Sequence, residues 1–242
     1  MGRYNSYNIY FTSSTTSTTD IIEIKLAMIG DSSVGKTSIV TRLVFDKFKT
    51  DNTSTIGGAF NVLTKKTSNN EVFKFQIWDT AGQDRFRSLV PMYVQRCNLV
   101  FFVFDITFLD SFNAIKNYWY KFVTSIEPNT EIILIGNKSD LESKRQVLNS
   151  DAEEYAEHIG VPYLECSAMN ISNMDELEAL MITAAQKIKK RKSGNNNDNN
   201  DNNDNNDNNN NININNNLVD TIEINEDKTV DRIYCTGARC YI

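Results

Sequence analysis

Between Asp20 and Lys192, short apolar runs alternate with longer segments in which apolar residues recur every three or four positions. The runs at 24–29, 99–105, 132–135 and 163–166 predict strands, as does 73–77, where Lys74 and Gln76 alternate with apolar residues. Segments 35–45, 111–125, 151–158 and 174–190 carry helical spacing, with Ser150 and Asn173 placed to cap the last two. Strands alternating with helices predict an α/β fold: a doubly wound, mainly parallel sheet covered on both faces. Ligands bind such sheets at the carboxyl ends of the strands, so the loops that follow the strands are where chemistry is sought. No internal repeat of 20 to 50 residues interrupts the pattern.

Beyond residue 193 the pattern stops. Residues 195–217 are almost wholly Asn and Asp, which cannot bury enough surface to offset the entropy of ordering the chain. A disordered C-terminal tail is expected over 193–242, and a flexible extension over the Ser/Thr-rich residues 1–20, leaving 21–192 as the folded unit. That unit is ample for one buried core: the 242-residue chain is 40% apolar. Its longest apolar runs fall far short of the roughly 20 residues a membrane span needs. The N-terminus has no apolar stretch of the kind that directs secretion. The four cysteines lack metal-ligand spacing and suit a reducing compartment, so the protein is expected to face the cytosol.

The chain holds 25 Lys and Arg against 31 Asp and Glu, for a net charge of −6. Nine of the acids and three of the bases lie beyond residue 192, so the body carries 22 of each sign and is neutral. A neutral body argues against a nucleic-acid surface, because phosphate backbones are gripped by an excess of clustered Lys and Arg.

Three loops carry the chemistry. GDSSVGKT (30–37) fits G-x-x-x-x-G-K-[ST] and stands between a predicted strand and a predicted helix, the context that pattern requires. Its glycines, Gly30 and Gly35, let the backbone at Ser32, Ser33 and Val34 wrap a phosphate with N–H groups and a helix N-terminus aimed at it. Lys36 would lie along the β- and γ-phosphates, and Thr37 would offer its hydroxyl to Mg²⁺. NKSD (137–140) follows the strand 132–135. The Asp140 carboxylate can accept from both N1–H and the 2-amino group of guanine, while the Lys138 stem covers the ring; alone, such a tetrapeptide is better read as a solvated turn, but here it lies about 100 residues after a phosphate loop. WDTAGQ (78–83) ends a third strand. Asp79 is placed to hold Mg²⁺ through water, Gly82 to bring its N–H to a terminal phosphate, and Gln83 to orient an attacking water with its donor and acceptor.

With these loops in place, GDSSVGKTS, STIGGAF, WDTAGQDRF, GNKSDL and ECSA resemble, in order and spacing, the Ras-superfamily small GTPases, and with FFVFDIT the Rab branch. STIGGAF and SLVPMY are most similar to the early-endosomal Rabs. The likeness spans residues 21–189 and implies a six-stranded P-loop GTPase fold that binds GTP or GDP with Mg²⁺ and hydrolyses GTP slowly. By match, Thr55 is the threonine that reaches Mg²⁺ and the γ-phosphate, and Ser38 completes the phosphate loop. Phe48 stands where the family stacks an aromatic ring on guanine, unless it is simply core. Asn137, Ser167, Ala168 and Met169 complete the base pocket, with Met169 replacing the family's Lys. Ile56, Phe60, Trp78 and Tyr93 correspond to the effector surface. Asp84 replaces a Glu, and 94–97 depart from the Rab pattern. The resemblance further implies exchange factors, activating proteins, a GDP-dissociation inhibitor and effectors as partners, a monomeric body, and a role in vesicle trafficking.

Rabs are lipidated on C-terminal cysteines, and Cys240, with Cys235 as a weaker candidate, would be prenylated here. One lipid binds marginally; Lys187, Lys189, Lys190, Arg191 and Lys192 either add attraction to anionic membranes or simply complement a helix C-terminus. The N-terminal Gly2 has Arg3 beside it, which disfavours myristoylation. No built-in arginine finger is legible, and hydrolysis is expected to need a partner's. A GTP-binding scaffold that hardly cycles is the alternative reading, motivated by Met169 and 94–97. His158, the one histidine, sits in a polar helical stretch and reads as surface.

Overall fold

The computed structural model describes residues 20–48, 55–194, 233–236 and 239–241. β1 (Ile21–Ile29) lies in the middle of the sheet because both of its faces are apolar: Ile24, Leu26 and Met28 enter one core, Ala27 and Ile29 the other, all fully buried. Parallel strands covered on both sides require such two-sided hydrophobicity. On the first face β1 packs against α1 (Lys36–Phe45) through Ile39 and Val40, and against α6 (Met174–Gly194) through Leu177 and Met181. On the second face lie α2 (Val90–Val94), α3 (Leu109–Ala114), α4 (Tyr120–Ile126) and α5 (Asn149–Ile159).

The body supplies the six strands expected, and they lie in the order β6-β5-β4-β1-β3-β2. β3 (Val72–Thr80), β4 (Leu99–Asp105), β5 (Glu131–Asn137) and β6 (Tyr163–Cys166) continue the parallel set. β2 (Gly58–Lys66) runs antiparallel to β3, opposing Phe60 to Trp78. After β1 the chain builds the sheet on the β3 side, and it then crosses to β4 on the other. This reversal of strand order leaves a crevice at the carboxyl end of β1, where GDSSVGKT begins.

Four local expectations change. α5 begins at Asn149, so Ser150 lies inside the helix and caps nothing; no side chain caps this end. Asn173 precedes α6, but its Nδ2 donates to the Glu165 carbonyl, 2.8 Å away, and is drawn off the helix end. The helix expected over 111–125 is α3 and α4 joined by a π-helical turn, Ile115–Trp119. At the β2 edge the backbone of Ile233–Thr236 (β7) and Arg239–Tyr241 (β8) adds two antiparallel strands, with Cys235 opposite both Gly58 and Cys240. The expectation of an unstructured tail therefore does not extend to these seven positions, whose β-branched and aromatic composition favours pairing. Residues 195–232, with the Asn-rich tract, and residues 1–19 lie outside the described residues. Among those described, no helix is long and apolar enough to cross a membrane.

Candidate functional site

The loop after β1 turns on two glycines that no other residue could replace. A Cβ at Gly30 would sit 2.1 Å from the Val103 carbonyl oxygen, and one at Gly35 would sit 2.1 Å from Asn137 Nδ2. Gly35 also takes φ +97°, and Ser33 accepts the left-handed region at φ +65°. The loop delivers Lys36 and Thr37 to the first turn of α1. Lys36 is buried, and its Nζ donates to the carbonyls of Gly30 (2.8 Å) and Asp31 (2.6 Å). Burial pushes its pKa down to about 8, with Asp79 and Asp31 pulling the other way. A lysine held this way is a cation in search of an anionic partner.

Thr37 is the centre of an oxygen cluster. Its Oγ1 donates to Asp79 Oδ2 at 2.6 Å and lies 2.9 Å from Thr55 Oγ1. Asp79 comes from the end of β3 and is buried, whereas Thr55 precedes β2. Two hydroxyls and one carboxylate converging on a point are hard oxygen donors of the kind Mg²⁺ prefers, and they fit that ion.

The other end of the site is built by the loops after β5 and β6. Asn137 ties them to the phosphate loop: its Nδ2 donates to the Val34 carbonyl at 2.8 Å, and its Oδ1 accepts from Ala168 N at 3.4 Å. Lys138 is anchored by Asp105, 2.6 Å from its Nζ. The Ser167 hydroxyl donates to Asp140 and accepts from the backbone N–H of Met169 and Asn170. Beneath them, Arg145 binds Glu165 through two 2.7 Å contacts and Glu142 through contacts of 2.8 and 2.6 Å, clamping the two loops together.

Between these ends lies one cavity of about 350 Å³. It is lined by Ser32, Ser33, Gly35, Lys36, Thr37 and Ser38 at one end, by Thr55, Gly82 and Gln83 at the rim, and by Phe48, Asn137, Lys138, Asp140, Ala168 and Met169 at the other. Gly30, Val34, Asp79 and Ser167 stand just behind the lining as its supports. Phe48 lines the cavity and also packs on the first core. The Gln83 side chain accepts from Arg85 Nε at 2.8 Å. Thr80 and Leu141 also line the cavity and were not foreseen; each adjoins a motif residue. Arg145 left no signal in the sequence, since its partners are chosen by the fold.

Outside the cavity, Phe60, Trp78 and Tyr93 do meet, with ring centroids 5.1 and 5.4 Å apart. Ile56 is 60% exposed nearby in sequence, whereas Tyr93 is buried at 2% and presents little of itself. His158 is exposed, as expected.

Comparison with known proteins decides the family. The profile of the Ras family matches residues 25–190. The chain belongs to the Ras family. It is 42% identical over 155 residues to Ras-related protein Rab-22A of Homo sapiens, a match covering 64% of this chain and 79% of that protein. It is 46% identical over 158 residues to Ras-related protein Rab-31 of Rattus norvegicus, covering 65% and 80%. This Ras-family protein is therefore a Rab-like small GTPase: it binds GTP and GDP with Mg²⁺, hydrolyses GTP, and acts as a switch in membrane trafficking. Family membership brings exchange factors, activating proteins, a GDP-dissociation inhibitor and effectors as the general classes of partner.

Proposed function

We propose that residues 21–192 are the GTP-binding unit and that this cavity holds the whole nucleotide. The observation that carries this reading is that Lys36, Thr55, Gln83 and Asp140, from four separate loops, all open into it. Lys36 leaves its two carbonyl partners for the β- and γ-phosphate oxygens, and the N–H groups of residues 32–38 enclose the β-phosphate. Thr37, Thr55 and Asp79 would hold Mg²⁺, whose charge would offset that of the phosphate oxygens. Asp140, steadied by Ser167, accepts from the guanine N1–H and 2-amino group, and the stem of Lys138 and the Phe48 ring cover the base. Ala168, whose backbone N–H has only a 3.4 Å contact with Asn137 Oδ1, turns that N–H to the base oxygen.

Hydrolysis is in-line attack of a water on the γ-phosphate. Gln83 orients that water after releasing Arg85, and Gly82 donates its N–H to the γ-phosphate. Loss of that phosphate removes what Thr55 and Gly82 are held against, and the loops around them relax. The step is slow without an activating protein, because no arginine among the described residues lines the cavity.

We further assign the protein to the cytosolic face of endosomal membranes, as a monomer anchored through Cys240 or Cys235. Ile56, Phe60 and Trp78 form its effector surface, with the buried Tyr93 packed against Trp78 as its support. The motifs STIGGAF and SLVPMY support the endosomal reading.

The base assignment is tested by extracting and chromatographing the nucleotide carried by purified protein. One guanine nucleotide per chain is expected, and Asp140→Asn is expected to cost guanine about 1–3 kcal/mol, or roughly fivefold to 150-fold in affinity. Unchanged selectivity in Asp140→Asn would place the base elsewhere.

A further inference from the structure

The second residue of the phosphate loop, Asp31, faces two ways. Its carbonyl oxygen accepts from Lys36 on the cavity side. Its carboxylate turns outward, where Oδ1 accepts the indole N–H of Trp119 at 2.9 Å and lies 4.0 Å from Arg87 Nη2. Arg87, four residues after Gln83, lays its guanidinium over two aromatic faces, 5.0 Å from the centre of Tyr118 and 5.3 Å from that of Trp119. Three distant pieces of chain thus meet at one carboxylate: the phosphate loop, the 3₁₀ segment Asp84–Leu89, and the turn Ile115–Trp119.

That turn is π-helical, and π turns inside α-helices recur at functional positions because the wider turn re-aims the side chains around it. Here it ends on a buried Trp119, whose ring nitrogen can only donate and so needs an acceptor. Asp31 supplies one 88 residues away in sequence. Asp31 and Trp119 form the platform: Trp119 is buried in the second core, and its indole N–H fixes the Asp31 carboxylate. Arg87 rides on the 3₁₀ segment after Gln83: its contact with Asp31 is at the outer limit of an ion pair, and its guanidinium also stacks on two rings.

We infer that Arg87 is a positioning residue for Gln83, and that Asp31, Arg87 and Trp119 form a latch that holds the segment after Gln83 against the phosphate loop when a γ-phosphate is bound. The inference rests on the proposed nucleotide site. When Arg87 is stacked, the four-residue link to Gln83 is short and the amide is confined near the cavity rim. When the γ-phosphate leaves, the segment loosens, Arg87 leaves the rings, and the environment of Trp119 changes.

The chain has only two tryptophans, so Trp78→Phe leaves Trp119 as a lone reporter. Trp119 emission and its quenching by acrylamide are to be compared in that background with GDP and with a non-hydrolysable GTP analogue. A nucleotide-dependent difference is expected, and Arg87→Ala is expected to abolish it. Arg87→Lys should restore only part, because an ammonium keeps the charge but not the planar stack. In the chain retaining both tryptophans, Arg87→Ala is expected to slow single-turnover GTP hydrolysis about fivefold to tenfold while GDP release stays within about twofold. Identical Trp119 signals in the two nucleotide states, or hydrolysis unaffected by Arg87→Ala, would overturn the latch while leaving the nucleotide site standing. Failure of the unsubstituted chain to retain guanine nucleotide would remove the site itself.

Discussion

An alanine at position 82 would place its Cβ 2.4 Å from the Asp31 carbonyl oxygen and 2.4 Å from Lys36 Nζ. The lysine end can swing away, but the carbonyl belongs to the phosphate loop and cannot. Gly82→Ala is therefore expected to push the loop carrying Gln83 outward and leave the fold and the base pocket intact. Single-turnover hydrolysis should fall by at least about tenfold, or 1.4 kcal/mol in barrier, with GDP binding close to that of the parent. Equal hydrolysis rates would mean that the loop does not close against Lys36. At this scale the sequence was nearly transparent. Lys36, Thr37, Thr55, Asp79 and Asp140 sit in patterns whose chemistry dictates the residue type, and all five gather at the one site. What a motif does not carry is the state of each side chain. That Gln83 is engaged by Arg85 and Lys36 by two carbonyls follows from packing alone.

Arg145 is the example at the scale of elements. It reaches from the turn after the NKSD loop to Glu165 at the end of β6, with both side chains 15% exposed and both guanidinium edges engaged. Paired forks of this kind, partly sheltered from water, exceed ordinary surface ion pairs, which contribute about 0–1 kcal/mol. Arg145→Ala strands Glu165, with Tyr163 Oη still donating to it at 2.7 Å. It is expected to speed GDP dissociation about tenfold by loosening Asp140 against Ser167; stopped-flow release of a fluorescent GDP reads this directly, and an unaltered rate would make the clamp purely structural. Elements were legible where burial is two-sided or evenly periodic, as in β1, β4 and β5. β2 was not, because its inward positions are Ala59, Asn61, Leu63 and Lys65, half of them polar. The π turn was hidden for another reason: the acceptor for its Trp119 lies in a different loop, and no local pattern records it.

At the scale of the molecule, residues from positions 30 to 169 reach one crevice because the strand order reverses at β1 and every contributing loop leaves the same edge of the sheet. The alternation of runs and helices made that architecture readable, whereas the pairing of β7 with β2 joins segments more than 170 residues apart and was not foreseen. The central claim is that this crevice is a magnesium-dependent guanine nucleotide site. Displacement of a bound fluorescent GDP tests it most directly. Unlabelled GDP is expected to displace the probe at one site per chain, a hundredfold excess of ADP to leave it in place, and chelation of Mg²⁺ to speed its release. Displacement by ADP as readily as by GDP, or release indifferent to chelation, would contradict the account.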